Sequence, residues 1–217
     1  MPKNHERAYD WENFDRALYW SDHKYGFPKI DPVYSLPEDL SWISFNYARS
    51  TDKEDRKKHG LHFYIDDYQF KRLWTDPDRY IPLLQDFGAV MSTDFSMYTD
   101  FPVAMQIWNM YRDCWLANYW TEHGITVVPA PGWSDHASYD WCFDAYPEYS
   151  IVSVSSLGTQ ADPVSKVLFM DGYREMMDRL HPKEIIFYGI VPDGCYGNIT
   201  HIDSFHEKMR ARIGDVR

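Results

Sequence analysis

Six times in this chain a short apolar, β-branched or aromatic run ends in polar residues or glycine and gives way to a helix-like stretch or a loop. The runs fall at 40–47, 61–65, 89–91, 125–128, 151–154 and 185–188. Buried strands of a parallel sheet read as nearly continuous apolar runs, and strands alternating with helices favour right-handed crossovers. The expected fold is therefore α/β, a mostly parallel six-stranded sheet with crossover helices. It would be either an incomplete TIM-like barrel or an open doubly wound sheet, with a lean to the barrel because the polar strand exits are too many for one crevice. In both, ligands lie beyond the carboxyl ends of the strands.

Helix patterning supports the alternation. The segment 102–123 opens with Pro102 and stops at Gly124, and Val103, Ile107, Met110 or Tyr111, Cys114 and Ala117 recur at three- and four-residue steps. A second helix is expected over 162–180, opened by Asp162-Pro163, with Val164, Val167, Leu168, Met170 and Met176 packing on the same sheet. Shorter helices are expected at 68–74 and 78–85, the latter opened either by Asp78 as a cap or by a plain turn after Pro77. Ahead of the first strand, Trp11, Phe14, Leu18 and Tyr19 stand at near-helical spacing, followed by a stretch punctuated by Pro28, Pro32 and Pro37. At 217 residues and 44% hydrophobic, the chain fits one α/β domain over 1–217. Within it, 1–39 is a lead-in and 40–217 the body.

Charge narrows the partners. A formal charge of -11 repels phosphate backbones on average and argues against nonspecific nucleic-acid binding. The densest basic segment, 53–59, contains Glu54 and Asp55 among its cations and reads as a solvated loop, with a phosphate-contacting loop as the alternative. Three widely spaced cysteines without a CxxC fit a reducing compartment rather than a disulfide framework or a thiolate zinc site. The first ten residues are polar, and no run approaches the ~18 apolar residues of a membrane span. A cytoplasmic protein with no membrane partner is the expectation.

Candidate chemistry clusters at the strand exits. Asp66 and Asp67 follow an apolar strand and point in opposite directions, so one of them could enter a site while the other caps a helix. Asp94, in Ser92-Thr93-Asp94-Phe95-Ser96, stands at the next exit. Carboxylates from neighbouring exits can divide acid and base work, and Asp66 with Asp94 could ligate Mg²⁺ or Mn²⁺. Ser96, Ser155, Ser156 and Thr159 offer hydrogen bonds, and the loop 155–159 could cradle an anion although it has neither P-loop nor GxGxxG spacing. Asn109 and Arg112 are neighbours on the long helix, where Arg112 could grip an anion or serve a structural ion pair. Trp133 could stack on a planar ligand or simply pack its loop. His201 and His206, five apart, miss the helical zinc spacing, and neither HExxH nor GxSxG occurs.

Three blocks, His62-Phe63-Tyr64-Ile65-Asp66-Asp67-Tyr68-Gln69-Phe70, Thr93-Asp94-Phe95-Ser96 with Asp100-Phe101-Pro102, and Trp108-Asn109-Met110-Tyr111-Arg112, resemble the signature segments of a family catalogued as a domain of unknown function. The similarity covers roughly residues 40–190. It implies a bacterial, phage or mobile-element context and brings no reaction with it. The residues themselves leave three functions open. They are a small enzyme acting on a nucleotide-like or phosphorylated small molecule, an acidic protein that mimics nucleic acid or inhibits a host defence complex, and a noncatalytic small-ligand sensor.

Overall fold

The computed structural model describes residues 12–205 together with 207 and 209. All its strand ladders are parallel. β1 (Ser41–Ser44), β2 (His59–His62), β3 (Ala89–Met91) and β4 (Val127–Val128) form one sheet in that order. β5 (Ile151–Ser155), β6 (Glu184–Tyr188) and β7 (Ile199–Ile202) form a second. The α/β class is as expected, but there are seven strands among the described residues rather than six. The seventh escapes the sequence pattern because His201 and Thr200 face solvent and break its apolar run.

Period-two alternation sorts the strand side chains into two cores. Leu61, Phe63, Val90, Val127, Val152, Val154, Ile185 and Phe187 join the larger core under the helices. Trp42, Ala89, Met91, Val128, Ile151, Ile186 and Tyr188 form a smaller core fed by both sheets. Gly60 makes room in it, since a Cβ there would lie 2.5 Å from the Trp42 ring paired beside it. Across this core the Tyr64 hydroxyl on the β2 exit donates to Ser153 Oγ of β5 at 3.0 Å. The sheets also touch along the chain, where Ser153 N donates to the carbonyl of Pro129 just past β4. The described strands nevertheless form two sheets rather than one closed barrel.

Three short helices, α1 (Asp67–Phe70), α2 (Arg72–Thr75) and α3 (Ile81–Gln85), carry the chain from β2 to β3, and α4 (Val103–Glu122) carries it to β4. α5 (Pro163–Leu180) links β5 to β6, capped by Asp162 accepting from Val164 N and Ser165 N at 3.0 Å. The long helices thus start and stop close to the expected residues, but their buried stripes differ from those expected. Val103, Val164 and Val167 are exposed. On α5 the inward stripe is Phe169, Tyr173, Met176 and Leu180, with Phe169 and Tyr173 packed on Phe187 of the second sheet. α4 is buried almost all round from Asn109 onward, so no single stripe describes it.

Asp78 does not cap a helix. Its carboxylate accepts from Arg16 Nε at 3.0 Å and from the Tyr119 hydroxyl. In the lead-in, Asn13 adopts a left-handed backbone with φ 64°, and a turn stands where a helix was expected. The Asn13 side chain donates to Trp74 O and the Ala17 carbonyl accepts from the Trp115 indole, so this segment does lie against the body. Leu18 points to solvent, and Trp11 is outside the described residues.

Candidate functional site

The exits of β2, β3, β4 and β5 meet around one cavity of about 460 Å³. β2 contributes Tyr64, Ile65 and Asp66, and β3 contributes Asp94 with Ser96–Thr99. Pro131 to Ser134 come from the β4 exit, Ser155 and Thr159 from the β5 exit, and Ser165 and Phe169 from the start of α5. Parallel strands that all end on one side make this convergence a consequence of topology. The volume falls in the range of sites that hold a small molecule.

Four carboxyl groups sit at this rim in four different situations. Asp94 lines the cavity, partly shielded from solvent, and no group among the described residues hydrogen-bonds it. Its burial, helped by the nearby negative charge of Asp67, pushes its pKa from 3.8 up to about 7. Asp67 is committed elsewhere, accepting from Ser96 N at 3.1 Å and Ser96 Oγ at 2.8 Å, which ties the first turn of α1 to the loop after β3. Asp66 is exposed on the cavity wall, makes no cap bond to α1, and meets Gln69 Nε2 at 3.4 Å. Asp113, on α4, is buried behind the loop and accepts from Phe95 N at 3.3 Å. Burial raises its pKa well above the carboxylate range, and the charge of Asp94 adds to the effect.

Those positions separate the residues singled out in the sequence. Asp66, Asp94, Ser96, Trp133, Ser155 and Thr159 come together on the cavity wall. Asn109, Arg112, Asp67 and Ser156 do not line it. Asn109 Nδ2 donates to Ser96 O at 2.5 Å, and Arg112 stacks its guanidinium 3.6 Å from the centre of the Phe95 ring while bonding Asn109 Oδ1. Both therefore shape the loop that carries Asp94. Ser156 Oγ donates to Ile190 O at 2.6 Å and fastens the β5 exit to the β6 exit. The Trp133 ring rests against Gly172 of α5, where a Cβ would lie 2.1 Å from its Nε1, and packs between Phe143 and Phe169.

Two functional candidates escape sequence reading. Ser134 is 5% exposed, lines the cavity, and its hydroxyl has no hydrogen-bond partner among the described residues. A buried hydroxyl left unpaired costs free energy unless something else satisfies it. Asp113 lies in the mostly apolar middle of α4, where nothing local marks it as part of a site. Beside it the Thr93 hydroxyl is buried without a partner of hydrogen-bonding geometry, although its dipole still favours the Asp113 carboxylate.

Among the described residues, the metal-ligating side chains that gather as a trio within 4.8 Å are His201, Asp203 and Glu207. One of the three also has a structural role. Glu207 accepts from Ser204 N at 2.8 Å while Ser204 Oγ accepts from Glu207 N, a reciprocal capping box. His206 is outside the described residues.

Comparison with known proteins places the cavity in context. The family model described as Domain of unknown function (DUF4417) matches residues 19–206, spanning every strand and the whole cavity wall. The chain belongs to this family. It is also 35% identical over 204 residues to the Gene 1 protein of Mycobacterium phage D29, covering 93% of this chain and 75% of that one. With the Gene 1 protein of Mycobacterium phage L5 the identity is 36% over 174 residues, covering 80% and 75%. No solved structure matches. The chain is thus a phage-type protein, and the resemblance carried by its three sequence blocks is that of its family. No helix among the described residues is long and apolar enough to cross a membrane.

Proposed function

We propose that this protein is a small enzyme that performs acid–base chemistry on a polar, ring-bearing small molecule in the strand-exit cavity. The observation that carries the reading is Asp94, a cavity carboxyl with no hydrogen bond among the described residues and a pKa raised to about 7. A general acid or base works best when its pKa lies near the working pH, and an uncommitted carboxyl can deliver or accept a proton at a bound substrate. Ser134 supplies a hydroxyl that a substrate would satisfy, and Trp133 and Phe169 supply apolar faces for a ring.

Among the described residues, the cavity lining contains no Lys, Arg or His. That favours a neutral or cationic substrate, such as a nucleoside or an amine-bearing heterocycle, over a phosphate ester bound directly. A phosphate would need a divalent cation held by Asp66 and Asp94 and otherwise by water, because Asp67 is spent on Ser96. A cavity holding Asp66 and Asp94 also supports ligand chemistry over the acidic-mimic reading, which calls for a shallow, dry strand-exit end.

The test is native mass spectrometry and thermal-shift screening of freshly purified wild type and Asp94→Asn against nucleosides, sugars and heterocyclic amines, with and without Mg²⁺, followed by turnover assays on each hit. The reading expects a hit that wild type converts and Asp94→Asn binds but does not convert. Conversion by both proteins alike would remove Asp94 from the chemistry, and hits without turnover would leave a sensor.

A further inference from the structure

We propose that the opposite end of the strands carries a second binding site, a cationic groove that takes the phosphate groups of an oligophosphate or a nucleic-acid strand. Lys53 and Arg56 stand in the connection that enters the amino end of β2, and Arg79 and Asp86 stand before and after α3 in the connection that enters β3. With Arg49 they line an open groove of about 530 Å³. Because the sheet is parallel, these amino ends face away from the strand exits and their cavity.

Charge sets this groove apart. The chain has 33 Asp and Glu against 22 Lys and Arg, yet the groove gathers four cations around a single carboxylate. Asp86 is engaged by Arg56 at 2.9 Å, and Arg56 Nε also donates to Thr51 O at 3.1 Å, so this pair braces the floor. Arg49, Lys53 and Arg79 are exposed and have no carboxylate within 4.0 Å among the described residues. By contrast Arg16, Arg174 and Arg179 each pair with at least one.

Arg49 is held in place without spending its donors. Its guanidinium lies 5.4 Å from the centre of the buried Tyr80 ring. A cation–π contact of this kind leaves the N–H fork of the guanidinium free for an oxyanion. Uncompensated cations converging on a groove, one of them in such a contact, are the arrangement that binds consecutive phosphates. The alternative reading of 53–59 as a phosphate-contacting loop gains its partners here from Arg49 and Arg79, which no local sequence window joins to it.

The test is fluorescence anisotropy of a short labelled oligothymidylate titrated with the full chain at several salt concentrations, with unlabelled tripolyphosphate as competitor. The variant is Arg49→Ala/Arg79→Ala, two exposed positions whose thermal midpoint should stay that of wild type. Binding by wild type is expected to weaken with salt, and the variant should bind about tenfold or more weakly. Its slope of log affinity against log salt should be shallower by roughly 1.4, because the variant neutralises two fewer phosphates of a single strand. Displacement by tripolyphosphate would show that phosphate density suffices. Failure to displace, with Arg49 and Arg79 still required, would identify the nucleic-acid backbone as the ligand. No binding of the oligothymidylate by wild type, or equal binding by wild type and variant, would overturn the proposal. Asp94→Asn should bind both probes as wild type does, which keeps this outcome separate from that of the cavity.

Discussion

The two ends of the same parallel strands are chemically opposite. At the carboxyl ends the cavity is the more sheltered of the two, its described lining has no cation, and it holds a carboxyl whose pKa burial raises to about 7. At the amino ends it is open, dominated by exposed guanidinium and ammonium groups, and governed by charge that water and salt reach easily. The difference teaches which solution variable speaks to which end. Desolvation shifts protonation, so pH acts on the cavity, whereas screening acts on exposed charge, so ionic strength acts on the groove.

The largest effect that would sharpen this contrast is on catalysis. Asp94→Asn should lower turnover of any cavity substrate by about 10²–10⁴-fold while leaving phosphate binding at the groove unchanged. Steady-state kinetics beside the anisotropy assay checks both halves.

Next comes the seat of Trp133. Gly172→Ala should displace that ring, since the new Cβ would lie 2.1 Å from its Nε1, and cost about 1–3 kcal/mol of stability by overpacking. Chemical denaturation reads the cost, and weaker cavity-ligand binding reads the displacement.

The third effect is pH dependence. Asp94 titrates near its ordinary 3.8 when unfolded and at about 7 when folded, so the native state binds the extra proton between those values. Its penalty on stability is absent below about pH 3.8, grows as pH rises, and is complete above about pH 7. Wild type should therefore lose stability relative to Asp94→Asn across that window, measured by denaturation at a series of pH values. A constant difference between the two would break the claim that burial governs this end.

Smaller still, Ser96→Ala removes one hydroxyl bond to Asp67 and keeps the backbone one, so a loss of about 1 kcal/mol is expected in the same denaturation assay. Asp66→Ala, at an exposed side chain with only a 3.4 Å contact, should stay within about 0.5 kcal/mol of wild type.

Much of the fold was legible because its signal is local. The strand runs and the two long helices stand out by periodicity, and Pro102, Gly124, Asp162 and Pro163 mark helix ends by their own backbone chemistry. What periodicity could not give was orientation. Val103 on α4, and Val164 and Val167 on one face of α5, fit the apolar pattern yet meet water, because which face is covered depends on elements distant in sequence. The site divided the same way. Strand exits flagged Asp66, Asp94 and Ser96, but nothing local distinguishes Asp94, left unbonded, from Asp67, spent on Ser96 across a gap of 29 residues. Ser134 and the Arg49–Arg79 groove likewise exist through tertiary approach alone.

The most direct measurement is a pH titration of ¹³C-carboxyl-labelled aspartates by NMR, comparing wild type with Asp94→Asn. The account expects a wild-type aspartate resonance that titrates with a midpoint of about 7 and is missing from the Asp94→Asn spectrum. If the substitution removes only a resonance titrating near 3.8, Asp94 is an ordinary solvated carboxylate and the cavity holds no poised acid or base.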